Sequence, residues 1–198
     1  MFYLKKSQWP IFIVNFIYLV IALFVFSSRR NYEFVTYIGV VVFFSLVILL
    51  TNKKVNYPNI VLWGLTLWGM LHMAGGGVLL KGGTMRLYEL ILIPLSENYE
   101  IFKYDQFVHI IGFGVSTLLM FSLLKSRLKS MNGFSFWLVI VMAGLGVGAV
   151  NEIIEFGVTV LVPETGVGGY NNTSLDLVAD LVGAVIAVVW LKARNGKL

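Results

Sequence analysis

Apolar residues in this chain come in long unbroken runs, and short polar clusters separate the runs. A helix needs roughly 20 apolar residues to cross the hydrocarbon core of a bilayer. Six stretches meet that measure, at about 9–28, 34–50, 58–80, 104–124, 134–162 and 175–191. The pattern predicts an all-α polytopic membrane protein: a bundle of about six transmembrane helices, forming a single domain over residues 1–198. The first run follows Lys5 and Lys6, as the core of a signal peptide would. It is too long for that role, and no small-residue cleavage site precedes Arg29, so a retained helix is expected. Residues 86–95 are too few to span and are expected to form an interfacial helix or a re-entrant stretch.

Composition agrees with the pattern. The chain is 58% apolar and only 13% charged, where a soluble domain is nearer a quarter charged. Its mean hydropathy is +0.85. It has no cysteine, which excludes disulfides and thiolate metal sites. The net charge of +5 comes from short basic clusters between apolar runs, the pattern of topology signals rather than of a nucleic-acid surface. Lipid is the expected partner. With six spans, one side carries Lys5, Lys6, Lys53, Lys54, Lys125, Arg127, Lys129, Lys192, Arg194 and Lys197. The other carries Arg29, Arg30, Lys81, Arg86 and Lys103. The excess of basic residues on the first side predicts both termini in the cytoplasm (N-in/C-in). All Asp and Glu residues then fall in outer loops or outer halves of spans, a separation that a wrong span count would scramble.

The ionisable residues inside the spans change the picture most. Each costs on the order of 2.5–3.5 kcal/mol to insert, so each needs a partner, a ligand or water. Asp105 and His109 lie four apart at the outer end of the fourth span. Glu152 and Glu155 lie three apart late in the fifth, Asp176 and Asp180 four apart early in the sixth, and His72 late in the third. Four helices thus bring these groups to similar depth. Carboxylate oxygen and imidazole nitrogen suit zinc, manganese or iron, and helix bundles build such centres from inward-facing acids and histidines. His72, His109, Glu152, Glu155 and Asp180 are the expected metal ligands. Asp105 or Asp176 is the expected orienting group or general base. The bland readings are helix capping for Asp105 and Asp176, interhelical hydrogen bonding for the histidines, and outward-reaching solvation for the glutamates. Capping accounts for neither His109 nor Asp180, a turn deeper.

Gly144-Leu145-Gly146-Val147-Gly148 lies inside an apolar span with no preceding strand, so it predicts close helix packing rather than a dinucleotide loop. Gly112, Gly114 and Gly183 are expected to act the same way, and Gly75–Gly77 to loosen the helix end beside His72. The outer-loop residues Asn171 and Asn172 are expected to cap the sixth span or touch a ligand.

Taken in order, these motifs resemble the YjdF-like family of uncharacterised prokaryotic inner-membrane proteins: Leu71-His72 before glycines, Tyr104-Asp105 with His109 and Gly112-Phe113, Glu152 with Glu155-Phe156, and Asp176 with Asp180 and Gly183-Ala184. A looser similarity reaches the VanZ-like proteins. The resemblance covers roughly residues 58–190 and implies a plasma-membrane location. This chain departs from it at Phe102-Lys103 and at Asn171, Asn172 and Leu175. The resemblance implies that the acids and histidines act as one unit, and it supplies no reaction.

Three functions compete. The preferred one is a metal-dependent enzyme acting on a lipid or lipid-linked headgroup at the outer leaflet. A proton or divalent-cation transporter or channel would need polar groups continuing to the inner face, where only Asn15, Ser45, Thr66, Ser116, Thr117 and Ser122 occur. A non-catalytic membrane component would use the cluster as structural glue.

Overall fold

Every apolar run folds as one continuous helix. The computed structural model describes residues 4–96, 99–125, 127 and 133–198; the topology signal assigned to Lys129 lies outside them. The helices are α1 (Trp9–Ser28), α2 (Tyr32–Val55), α3 (Asn59–Gly77), α4 (Tyr104–Leu124), α5 (Phe134–Leu161) and α6 (Tyr170–Ala193). All six are long and apolar enough to cross a membrane.

Two helices run further than their apolar stretch predicts. Helix α2 continues through Lys53 and Lys54 to Val55, where basic side chains in a last turn complement the helix dipole. Asn56 then ends it in the left-handed conformation, with φ 59°. Helix α6 begins at Tyr170, five residues before the expected start at 175. Asp176 therefore sits inside the helix and is no cap.

The expected interfacial helix over 86–95 does not form. Leu79–Leu80 (β1) pairs antiparallel with Met85–Arg86 (β2), and a single 3-10 turn follows at Leu87–Glu89. Beyond it the chain runs extended: Leu92 N donates to Phe102 O and Tyr104 N to Leu90 O. Branched Ile91 and Ile93 with Pro94 disfavour a helix there, and pairing with the returning strand satisfies the backbone instead.

Helices α4 and α6 make the most extensive contact, and α3, α5 and α6 pack around α4. A Cβ on Gly183 would fall on the Ile110 carbonyl oxygen and lie 2.9 Å from Gly114 N. Two helix backbones can touch this closely only through glycine. Contacts between 106 and 176, 109 and 180, and 114 and 183 keep one offset, so α4 and α6 run parallel and their N-terminal turns meet. By contrast α1 and α2 present most of their apolar side chains outward, as lipid-facing helices do.

Candidate functional site

The site is built where the first turns of α4 and α6 meet the last turns of α5. His109 is its centre. The ring is buried, and its Nδ1 lies 2.8 Å from Asp180 Oδ1 and 4.0 Å from Glu152 Oε1. Its Nε2 lies 3.8 Å from Asp105 Oδ1. With Nδ1 donating to Asp180 Oδ1 in this contact, a neutral ring presents Nε2 as its electron-pair donor.

Each remaining acid is held by a neighbour. Gln106 Nε2 donates to Asp176 Oδ1 at 2.6 Å, and Asn172 Nδ2 donates to both Asp176 Oδ2 and Asp105 Oδ2. Asn151 Nδ2 donates to Glu155 Oε1 at 2.8 Å. Lys103 Nζ reaches Asn172 Oδ1 at 3.0 Å. These amides fix the orientation of the carboxylates while bringing no charge to balance them. Among the described residues, two buried carboxylate oxygens of this cluster have no hydrogen-bond partner, Glu152 Oε1 and Asp180 Oδ2. Such atoms are costly unless a cation or proton meets them.

Ligand-type atoms lie close enough together for one ion in two groups: Asp105, His109 and Asp176, and His109, Glu152 and Glu155. The two share His109. Of the residues expected as ligands, His109, Glu152 and Glu155 are brought together. Asp105 and Asp176, expected as orienting groups, join them as oxygen donors. Asp180 stands outside both groups and orients His109 instead.

His72 also stands outside them. It is enclosed by the rings of Phe34, Tyr37, Trp68 and Tyr88, with centroids 5.3–5.7 Å away. Burial holds the Tyr88 hydroxyl well above the usual tyrosine range, so it keeps its proton, and it shares a hydrogen bond with His72 Nδ1. Gly75 and Gly76 do not loosen the helix, which runs on to Gly77; they admit Tyr88 and Phe34, whose rings occupy the place a Cβ would take. Gly148 does the same on α5, where a Cβ would fall on Asp180 Oδ2, and Gly144 faces Thr117.

Sequence reasoning missed Gln106 and Tyr88. Gln106 was visible, since it lies between Asp105 and His109 at the start of a span. Tyr88 lies in the segment expected to form an interfacial helix or a re-entrant stretch, and nothing in its spacing points to His72.

Beside Glu152 and Glu155 opens a cavity of about 340 Å³, lined also by Phe156, Thr159, Tyr170 and Thr173 and by the loop glycines Gly168 and Gly169. Two of its lining residues, Phe156 and Tyr170, are 69% and 85% exposed.

A family model described as "Predicted membrane protein (DUF2238)" matches residues 10–197, nearly the whole chain. No curated protein and no solved structure matches it. These matches do not show the VanZ-like likeness.

Proposed function

We propose that this chain, which belongs to the DUF2238 family of predicted membrane proteins, binds a divalent cation in its buried His/carboxylate cluster and uses it to hydrolyse a lipid or lipid-linked headgroup at the outer leaflet. The YjdF-like resemblance and the cytoplasmic termini are part of the same reading. So is the treatment of residues 1–198 as a single membrane domain.

The observation that carries the proposal is the arrangement around His109. A histidine that ligates a metal through one nitrogen almost always donates the other N–H to a carboxylate or carbonyl. Here Asp180 takes Nδ1, and Nε2 faces Asp105. Asp105, Asp176 and His109 would hold the ion, with Glu152 and Glu155 supplying further oxygens from α5. A cation would also meet Glu152 Oε1 and relieve the crowding of five carboxylates. Such an ion lowers the pKa of a bound water and makes a nucleophile near neutral pH. The protein's own part is to orient: Gln106, Asn151 and Asn172 hold the carboxylates, and Glu152 or Glu155, at the cavity wall, accepts a proton from the attacking water.

The transporter reading has less support. Buried hydroxyls toward the other end of the bundle bond back to their own helices, Thr66 to Leu62 O, Thr117 to Phe113 O and Ser122 to Leu118 O; Thr66 also accepts from Asn15 Nδ2 at 2.6 Å, and none of these contacts reaches the cluster. Elemental analysis of the purified protein tests the proposal. About one equivalent of metal in the wild type, lost in His109→Ala and reduced in Glu155→Gln, is expected. Metal absent from the wild type, or equal in all three, would overturn it.

A further inference from the structure

A second cavity lies at the same end of the bundle and uses none of the cluster residues. It has a volume of about 480 Å³ and is lined by Arg29, Arg30 and Arg86, with Asn31, Glu164 and Gly76 among its other walls. The three arginines come from two separate parts of the chain, the α1–α2 turn and β2. We propose that this cavity binds the phosphate of an anionic lipid headgroup.

The charge arrangement supports that ligand. Arg86 Nη1 is engaged by Glu33 Oε2 at 2.8 Å. Arg29 Nη1 donates only to a neutral group, the Gly77 carbonyl oxygen, at 2.6 Å. Among the described residues no carboxylate lies within ion-pairing distance of Arg29 or Arg30. Counting Glu164 at the wall and Glu33 behind Arg86, the cavity keeps an excess positive charge. Guanidinium groups bind phosphate oxygens through paired N–H bonds, which makes them suited to this anion.

The turn that presents these arginines is well defined. Asn31 N donates to Phe26 O and Arg30 N to Ser27 O, closing the end of α1. Arg30 has φ 52°, a left-handed conformation that glycine would adopt at no strain. An arginine there costs of order 1 kcal/mol in backbone strain, which favours a role for its side chain. The end of a membrane-spanning helix is also the depth at which headgroup phosphates lie.

The cavity's walls include Val162, Pro163 and Glu164, whereas the cavity at Glu152 and Glu155 is lined by Val167, Gly168 and Gly169. The two cavities therefore flank one short segment between α5 and α6. This inference does not depend on the cation reading.

The test uses the full chain in detergent and in nanodiscs, with thermal unfolding and native mass spectrometry as readouts. The probes are inorganic phosphate, phosphatidic acid and, as a zwitterionic control, phosphatidylcholine. Phosphatidic acid is expected to raise Tm and to stay bound, with apparent affinity about tenfold lower in Arg29→Gln or Arg30→Gln. Arg30→Lys keeps the charge but loses the paired N–H bonds and is expected to bind better than Arg30→Gln and less well than the wild type, which separates charge loss from a damaged turn. If inorganic phosphate shifts Tm in the same arginine-dependent way, the phosphate group alone suffices; a shift from the lipid only assigns the site to a headgroup. No shift with either probe, or a shift unchanged in both glutamine variants, would overturn the proposal. His109→Ala, which removes the proposed cation, is expected to leave the phosphate response intact, so the two proposals fail separately.

Discussion

The two ends of the bundle each bury a polar network, and the networks differ in kind. At the end holding the chain termini, Asn52 Nδ2 donates to Gln8 Oε1 at 2.7 Å, Gln8 Nε2 donates to Tyr57 O at 3.2 Å, and Thr51 Oγ1 meets the Tyr57 hydroxyl at 3.0 Å. These groups are neutral, and together they tie α1, α2 and the α2–α3 turn. At the other end, five carboxylates surround one imidazole, and two carboxylate oxygens among the described residues have no hydrogen-bond partner. A satisfied neutral network stabilises helix association without inviting a ligand. An acidic network with open valences is expensive unless something binds it. Burial alone does not separate glue from function in a membrane; the balance of charge and the open valences do.

That contrast can be broken by experiment. The largest effect is expected from His109→Ala, which removes the ligand shared by both groups and should weaken metal binding by more than about 100-fold, measured by competition with a chelating dye. Asp180→Asn keeps shape but loses the charge that orients His109, and should weaken binding by about 10–100-fold in the same titration. Gly148→Ala places a methyl group on the Asp180 carboxylate and is expected to destabilise the fold by about 1–3 kcal/mol in a chemical unfolding assay. Gly146→Ala, where nothing lies within 4 Å, should be neutral or slightly stabilising in that assay. The smallest effect on the site is expected from Asn52→Ala, which should lower stability by about 1 kcal/mol and leave metal content unchanged. Loss of metal in that variant would end the distinction drawn between the two ends.

Much of this was legible in the sequence, for reasons of physics rather than resemblance. A bilayer imposes a minimum apolar length, so the span count could be read from runs alone. Depth along each span placed Asp105, His109, Glu152, Glu155, Asp176 and Asp180 at one end, and the structure brings all six together. What the runs could not reveal was azimuth. His72 has the right depth, but its helix turns it toward Tyr88 and an aromatic enclosure. Asp180, expected as a ligand, lies against His109 Nδ1 because α6 and α4 pack in parallel, while Asp105 lies 3.8 Å from His109 Nε2. The start of α6 was misplaced because Asn171, Asn172, Thr173 and Ser174 are weak helix formers. Asn172 is held in the helix by Asp105 and by Asp176 one turn on, a tertiary cause that no local pattern contains.

Glu33 lies in the first turn of α2, and its Oε2 accepts from Arg86 and, at 2.8 Å, from the backbone N–H of Gly166, a residue 133 positions further on. During synthesis the first two spans leave the ribosome long before that glycine exists. They carry none of the clustered acids or histidines, and on sequence grounds a shortened chain beginning at α3 would look complete. The Glu33 contacts make α2 the mooring for the last segment to arrive. A shortened chain would keep every metal-type ligand and lose the tether that holds the α5–α6 connection over them.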